Sequence, residues 1–459
     1  MADLEAEVIA ARVRSGELDP VDVVSAHLER VTEWEPQVRA FEVVAERSAL
    51  REAAALRERD DLGSLPLAGV PVAIKDNVDV VGHPTRHGSQ ATPATPAERD
   101  DPLVDSLRRA GAIVIGKTRM PELAIWPFTE SRGREPTRNP WSLGRTPGGS
   151  SGGSAVAVAT GMAALALGSD GGGSIRIPAA SCGVFGVKPA PGLVPLPRGA
   201  SEHWRGLSAF GSFGRTAADA GLMLDVLCGS DEYRRPPAER GLRISVSARH
   251  PVVGAPVARH VRAALDACAS ALSDAGHSLN SARPPYPPTP QAFVRCWLAG
   301  IAEDAEGTEL SALEPRTQAM VRRGELLRSR DWAPRVAQYR AAGRLREWLG
   351  GRNALLAPIL AQDPPPVGRW AKGRWLPTAL GVSRWMGYNP PWNVAGCATV
   401  AVPVGRSPAG MPIGVQLIGP PRSEARLLGL AAQLEGVKPP GQPRAAEASS
   451  RSGDRRRDG

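Results

Sequence analysis

Two runs of glycine and serine, separated by a short apolar segment, constrain this chain more than any other feature. The first run is Thr146-Pro-Gly-Gly-Ser-Ser-Gly-Gly-Ser154, and the second is Asp170-Gly-Gly-Gly-Ser-Ile-Arg176. Glycine allows positive φ angles and close approach of the backbone to a ligand, although either run alone could be an ordinary turn. Consecutive Gly N–H groups before Ser174 could also form an oxyanion hole. We therefore expect two ligand-facing loops joined by a helix of small residues over 155–167.

A serine nucleophile needs a base, and the basic residues of this chain point to lysine. Only five of the 56 Lys and Arg residues are lysines, and a buried lysine can lose its proton whereas arginine cannot. Lys75 follows a predicted buried strand over 67–74, and active-site groups of open α/β sheets often lie at such strand ends. None of the seven histidines lies in a recognisable triad setting, and no G-x-S-x-G elbow surrounds Ser174, which argues against an α/β-hydrolase.

A second lysine lies in a motif that we reject. The segment Gly111-Ala-Ile-Val-Ile-Gly-Lys-Thr118 matches the phosphate-binding pattern GxxxxGK[ST]. That site needs a flexible loop whose N–H groups face phosphate. Here a helix is expected before Gly111, and Ala-Ile-Val-Ile is typical of a buried strand. We therefore expect no nucleotide site, and we expect Lys117 to be structural.

Strand and helix patterns alternate along the chain, which favours an α/β layered fold. Residues 229–390 carry the least pattern, and we place substrate-specific insertions there. The remaining predicted elements are helical segments over 5–58, 101–110 and 424–435 and strands over 112–115, 398–404 and 413–418.

Composition excludes several classes of protein. With 42% hydrophobic and 22% charged residues, the chain is globular rather than disordered. It has no apolar run of about 18 residues that could span a membrane and no secretory signal pattern, so we expect a cytoplasmic enzyme. The five cysteines are scattered without a C-x-x-C pair, so we expect neither disulfides nor a metal site.

The net charge of +9 comes partly from the last residues of the chain. Residues 436–459 are rich in Pro, Gly, Ser and Arg, and we predict a disordered basic tail. Nucleic-acid binding is not expected, because no stripe of interleaved aromatic residues accompanies the arginines.

The motifs resemble those of the amidase signature family. The resemblance is carried by Gly69-Val-Pro-Val-Ala-Ile-Lys-Asp76, by residues 111–124, by residues 146–189 and by residues 389–419. It covers roughly residues 5–228 and 389–435. It implies one amidase signature domain over 1–435, with a variable part over 229–388. The implied fold is a large, mixed, twisted central sheet covered by helices on both faces.

The resemblance also implies a Ser–cis-Ser–Lys triad. Ser174 falls on the nucleophile, Ser150 on a bridging serine that follows a cis peptide bond, and Lys75 on the base. The remaining implied site residues are Gly171, Gly172 and Gly173 in the oxyanion loop, with Ser151 and Asp170 holding the loops by hydrogen bonds. Neither a metal nor an organic cofactor is implied.

Two positions depart from the family pattern. Gly171 stands where members usually carry a side chain such as Thr or Ile, and Arg119 stands where Asn is common. We expect a more flexible oxyanion loop, and an effect on rate rather than loss of the chemistry. Arg176 is expected to pair inside the fold rather than to contact substrate.

The expected activity is that of an amidase, which hydrolyses a carboxamide to a carboxylate and ammonia or an amine through a Ser174 acyl-enzyme. Two alternatives stay open. One is an amidotransferase A-type subunit that releases ammonia from glutamine for tRNA-dependent amidation. The other is a non-catalytic binding protein on the same fold, suggested by Gly171. The expected substrate is a small-molecule amide, and both a monomer and a homodimer stay open.

Four tryptophans near the end of the variable part have two interpretations. They could line an aryl or acyl pocket, or they could pack in the core or cover the surface. These residues are Trp370, Trp375, Trp385 and Trp392.

Overall fold

Eleven strands form one mixed sheet within the described residues of the chain. The structure is a computed structural model that describes residues 1–286, 288–328, 332–371, 373–437, 441–443 and 445, without the side chains of 332–337. Of the 24 residues of the predicted tail over 436–459, 18 therefore lie outside the described residues. The strands are β1 Phe41–Val44, β2 Pro71–Lys75, β3 Ile113–Thr118, β4 Leu165–Asp170, β5 Phe185–Lys188, β6 Ala209–Gly214, β7 Arg243–Val246, β8 Ser278–Ser281, β9 Ala354–Pro358, β10 Ala398–Arg406 and β11 Pro412–Gly419.

The strand order is β1-β3-β2-β4-β6-β5-β10-β11-β9-β7-β8. β2 runs parallel to β3 and β4, whereas β5, β6, β10 and β11 pair antiparallel with their neighbours. Every residue of β2, β3, β4 and β6 is buried. Because successive side chains point to opposite faces, both faces of these strands are covered. The expectation of a large mixed α/β sheet is confirmed.

Fourteen α-helices of the described residues pack around this sheet. Local signals set several of their ends: α2 begins at Pro20, and the side chain of Asp19 accepts a hydrogen bond from the Val21 N–H at 2.8 Å. The helices are α1 Ala6–Arg14, α2 Pro20–Val38, α3 Glu46–Arg57, α4 Pro102–Arg109, α5 Gly152–Ala159, α6 Arg176–Cys182, α7 Ala217–Cys228, α8 Arg259–Asp274, α9 Thr289–Asp304, α10 Pro315–Arg328, α11 Trp332–Gly350, α12 Trp375–Met386, α13 Pro390–Val394 and α14 Glu424–Leu434.

The predicted helix over 155–167 is wrong in its second half. Helix α5 ends at Ala159, Gly161 has a φ of +72°, and β4 begins at Leu165. A continuous run of small apolar residues fits a buried helix and a buried strand equally well, so periodicity does not distinguish them. The prediction over 5–58 also missed β1, which pairs antiparallel with β3.

The segment that resembled a phosphate loop is a strand, as expected. The stretch from Ile113 to Thr118 forms β3, and all of it is buried. The Lys117 Nζ lies 2.9 Å from Asp76 Oδ1, and both side chains are fully buried. It also donates a hydrogen bond to the Pro84 carbonyl at 2.8 Å. Lys117 therefore ties β3 to the loop after β2, which is a structural role.

The weakly patterned segment over 229–390 is well structured where it is described. It supplies three strands of the sheet, β7, β8 and β9, and the helices from α8 to α12. No described helix is both long enough and apolar enough to cross a membrane.

Candidate active site

Two parallel strands bring the candidate groups to one edge of the sheet. Lys75 is the last residue of β2 and Asp170 is the last residue of β4, and these strands are parallel neighbours. Their carboxyl ends therefore meet, as at the ligand sites of other α/β sheets. The first Gly/Ser run leads into α5 and the second connects β4 to α6, so both runs adjoin this edge.

Lys75 is fully buried and is held by two serine hydroxyls. Its Nζ lies 2.7 Å from Ser150 Oγ and 2.8 Å from Ser169 Oγ. Burial lowers the pKa of Lys75 from 10.5 to about 7, although the negative charge of Asp170 acts in the opposite direction. A large fraction of the amine is therefore neutral at neutral pH and able to accept a proton.

The two Gly/Ser loops are tied directly to each other. The Gly149–Ser150 peptide bond is cis, and Ser150 is fully buried. The Ser151 N–H donates to the Ser174 carbonyl at 3.2 Å, and its hydroxyl donates to the Ser169 carbonyl at 3.2 Å. Ser151 thus joins both loops to the end of β4.

Asp170 and Arg176 form a fully buried ion pair behind the second loop, with 3.0 Å between Asp170 Oδ1 and Arg176 Nη2. Asp170 also accepts hydrogen bonds from the Gly173 N–H at 2.7 Å and the Ile175 N–H at 3.1 Å. Burial alone would raise the pKa of Asp170, but the charge of Arg176 and its hydrogen bonds lower the pKa well below its usual range. The expectation that Arg176 pairs inside the fold is confirmed.

Sequence reasoning missed the polar residues that complete this network. Arg176 Nη1 donates to the Asn389 carbonyl and to Gln416 Oε1, each at 3.1 Å. The Asn393 amide donates to Asp170 Oδ1 at 2.9 Å. Gln416 was detectable as a polar residue inside an apolar strand, because a buried amide needs hydrogen-bond partners.

Three glycines form the loop between Asp170 and Ser174, and all three are buried. An added Cβ at Gly171 would lie 2.6 Å from Trp204 Cε3, and one at Gly172 would lie 2.8 Å from Phe293 Cζ. Gly173 has a φ of +126°. The missing side chain at Gly171 leaves no gap, because Trp204 fills the space, and this packing argues against the looser loop that we expected.

The loop retains free hydrogen-bond donors. The Gly173 N–H is already donated to Asp170. The N–H groups of Gly171, Gly172 and Ser174 have no acceptor within the described part of the chain. These three donors, rather than the three glycines alone, are available to an oxyanion.

Ser174 is half-buried and lines an apolar cavity of about 110 Å³. Its hydroxyl has no hydrogen-bond partner among the residues that the structure describes. The larger side chains around the cavity come from several separate elements. They are Trp126, Trp204, Phe293, Trp297, Val382 and Met386.

The four tryptophans that the sequence offered as a pocket lining are not among the described residues that line this cavity. Trp385 and Trp392 are fully buried in the core, and Trp370 packs on Trp385 with ring centroids 5.9 Å apart. The core-packing interpretation therefore holds for these rings. Nothing in the local sequence identifies Trp126, Trp204 and Trp297, because they meet only after folding.

A larger cavity of about 770 Å³ shares the lining residue Ala124 with the cavity beside Ser174. Its lining includes Asn77, whose amide donates to Ser169 Oγ at 3.2 Å, and the His203–Asp304 pair. The described residues include no group of three or more His, Cys, Asp or Glu side chains arranged to hold a metal.

Comparison with known proteins matches most of the chain to one family. A family model described as Amidase matches residues 22–428. The chain is 39% identical over 444 residues to the protein named "Putative amidase AmiB2" of Mycobacterium tuberculosis. The alignment covers 94% of this chain and 95% of that protein.

Two solved structures extend the comparison. The structure of 6-aminohexanoate cyclic dimer hydrolase has a TM-score of 0.87 and 29% identity, covering 97% of this chain and 99% of that chain. The structure of the A-type subunit of glutamyl-tRNA(Gln) amidotransferase from Thermotoga maritima has a TM-score of 0.78 and 26% identity, covering 97% and 98%. The chain therefore belongs to the amidase family, the amidase-signature enzymes, and is a hydrolase of carbon–nitrogen bonds.

Proposed function

We propose that this amidase cleaves a carboxamide through an acyl-enzyme on Ser174, activated by Ser150 and Lys75. The observation that carries the proposal is the 2.7 Å contact between Lys75 Nζ and Ser150 Oγ, made by a fully buried lysine. A lysine whose pKa lies near 7 can act as a base at neutral pH, whereas an ordinary lysine is almost wholly protonated there.

The first half-reaction forms the acyl-enzyme. Neutral Lys75 takes the proton of the Ser150 hydroxyl, Ser150 takes the proton of Ser174, and Ser174 Oγ attacks the amide carbon. The carbonyl oxygen becomes an oxyanion, which accepts hydrogen bonds from the loop N–H groups of Gly171, Gly172 and Ser174. As the C–N bond breaks, Ser150 donates a proton to the leaving nitrogen and recovers one from Lys75.

The second half-reaction releases the acid. Water attacks the ester carbon and gives its proton to the same relay, and the Ser174–acyl bond breaks with return of a proton to Ser174. The products are a carboxylate and ammonia or an amine, and every proton transfer in this scheme is made by Lys75, Ser150 and Ser174.

The cavity beside Ser174 supports an amide that carries a compact apolar group. An engineered apolar cavity of about 150 Å³ accommodates benzene, so the smaller cavity of about 110 Å³ beside Ser174 favours a group no larger than a single ring or a branched alkyl chain. One of the solved structures that the chain resembles is that of a 6-aminohexanoate cyclic dimer hydrolase. We therefore propose small aryl and alkyl amides, including cyclic amides, as the first substrates to examine.

The test is covalent labelling with a fluorophosphonate, which reacts with activated serines. Intact mass and peptide mapping of the wild type should give one adduct, on Ser174. Ser174→Ala should give none, and Ser25→Ala, a serine on α2 remote in sequence from both Gly/Ser loops, should label like the wild type. The proposal fails if folded wild type gives no adduct, or if the adduct lies on another residue.

An amidotransferase component is the second candidate, because the solved glutamyl-tRNA(Gln) amidotransferase chain covers 97% of this chain. It predicts release of ammonia from glutamine and co-purification with a second, different polypeptide. An amidase predicts turnover of small amides by the isolated chain. Comparing glutamine with a panel of aryl and alkyl amides separates the two.

A further inference from the structure

Trp204 fills the space between the oxyanion loop and helix α9. A Cβ at Gly171 would lie 2.6 Å from the Cε3 of Trp204 and 2.8 Å from its Cζ3. A Cβ at Gly300, on α9, would lie 2.5 Å from its Cδ1. Real Cβ atoms essentially never approach heavy atoms within 3.0 Å. The indole therefore requires glycine on both sides, and it is 4% exposed.

Polar contacts fix the indole in this space. Its Nε1–H donates to Asp304 Oδ2 at 2.6 Å. His203 Nε2 lies 2.9 Å from Asp304 Oδ1, and its Nδ1 lies 2.7 Å from Ser208 Oγ. Trp204 has a φ of +50°, a left-handed conformation that bulky residues rarely adopt. Such a conformation persists only where its surroundings hold it, and here packing and hydrogen bonds both do so.

One face of α9 supplies most of this packing. Phe293, Trp297, Gly300 and Asp304 recur at intervals of three or four residues and so share a face of the helix. Phe293 covers Gly172, since a Cβ there would lie 2.8 Å from Phe293 Cζ. The ring of Trp204 packs on Gly300, and its Nε1–H donates to Asp304. Helix α9 thus packs against Gly172 directly, through Phe293, and against Gly171 indirectly, through Trp204.

We propose that Trp204 is a positioning residue for the oxyanion loop, where it takes the place of the side chain that Gly171 lacks. A loop of consecutive glycines has more freedom than any other backbone and needs restraint from outside. Oxyanion donors are effective only when they are already in place. Trp204 supplies that restraint through Gly171, and α9, which also lines the cavity beside Ser174, holds Trp204. This inference rests on the proposed role of Ser174.

The test is a double-mutant cycle on Trp204 and Gly171. The variants are Trp204→Ala, Gly171→Ala and the double variant, and the main measurement is the rate constant of Ser174 phosphonylation. The phosphonyl oxygen uses the same N–H donors as an amide oxyanion. We expect Trp204→Ala to lower this rate about 100-fold, the size of losing one oxyanion donor. On an amide that the wild type hydrolyses, kcat should fall by a similar factor; because Trp204 also lines the cavity beside Ser174, KM reports substrate binding as well and is not used to judge the proposal.

The cycle separates positioning from general damage. Gly171→Ala alone should also react slowly, because its methyl group meets the indole. In the double variant the methyl group enters space that the indole has vacated. The double variant should therefore react at least tenfold faster than expected if the fold-losses in phosphonylation rate of the two single variants simply multiplied. Independent, multiplicative losses would overturn the proposal.

Further variants guard against misfolding. Trp348→Ala removes a tryptophan that packs on a separate core cluster, and it should label like the wild type. Trp204→Phe keeps an aromatic ring but loses the hydrogen bond to Asp304, and it should remain folded and react at an intermediate rate. Wild-type rates in Trp204→Ala, or in Trp204→Phe if the alanine variant does not fold, would refute the role of Trp204. Failure of the wild type itself to label would instead refute the role of Ser174.

Discussion

The lowered pKa of Lys75 predicts how the reactivity of Ser174 depends on pH. Burial moves this pKa from 10.5 to about 7. At about 1.4 kcal/mol per pH unit, the protonated form is disfavoured by about 5 kcal/mol. With a pKa near 7, about a tenth of Lys75 is neutral at pH 6 and about nine tenths at pH 8. With an unshifted pKa, the neutral fraction at pH 7 would be roughly one part in 3,000.

The assay is the rate of Ser174 phosphonylation between pH 5 and pH 9. We expect the rate to rise about tenfold per pH unit below pH 7 and to level off above it, with the inflection within about one unit of 7. Lys75→Arg keeps a positive charge but has no neutral form at these pH values. It should lose the inflection and about 10²- to 10⁴-fold in rate, the range for removal of a general base.

Two results would refute this reasoning. One is a wild-type profile that is flat between pH 5.5 and pH 8.5, since a base that titrates near 7 must produce a slope there. The other is a folded Lys75→Arg protein that keeps more than a tenth of the wild-type rate. Ser169→Ala, which removes one hydroxyl partner of Lys75, should keep the inflection while lowering the plateau.

Three further predictions concern stability. Because the folded state holds the Lys75 pKa near 7, folding becomes more favourable as pH rises from 7 to 10.5. Lys75→Met has no amine to titrate, so its free energy of unfolding relative to the wild type should fall by about 5 kcal/mol between pH 7 and pH 10.5, as measured by urea titration. A difference that stays constant over this range would contradict the prediction. Burial raises the pKa of Asp219 to about 7, so the ionisation of this carboxyl should make its own contribution to folding less favourable as pH rises from 4 to 8. Asp219→Asn lacks this ionisation, so the difference in free energy of unfolding between the variant and the wild type should shift by up to about 4 kcal/mol in favour of the variant over that range. Parallel pH profiles of the two proteins would contradict this. Asp170→Asn leaves Arg176 buried without its counter-charge, which should cost about 3–5 kcal/mol of unfolding free energy; an unchanged thermal midpoint would argue against a structural role for this pair.

Local sequence patterns determined many of the elements. The strand that ends at Lys75, the helix and strand on either side of Gly111, the β10–β11 pair and helix α14 each carry a pattern that a few neighbouring residues complete. The Gly/Ser runs likewise marked both loops, because consecutive glycines have few other uses in a packed fold. The division of residues 155–167 into α5 and β4 lay beyond sequence reasoning, since small apolar residues suit either state.

Tertiary structure alone decided which residues meet. The 2.7 Å contact between Lys75 and Ser150 depends on where β2 lies beside β4 in the sheet. The ion pair of Asp170 and Arg176 is completed by residues more than 200 positions away in sequence. Trp204 reaches Gly171 only because α9 presents a glycine and a carboxylate to it. Sequence encodes local conformation and burial through short-range patterns, whereas the partners of a buried polar group or ring depend on how distant segments pack, and no short-range pattern records that.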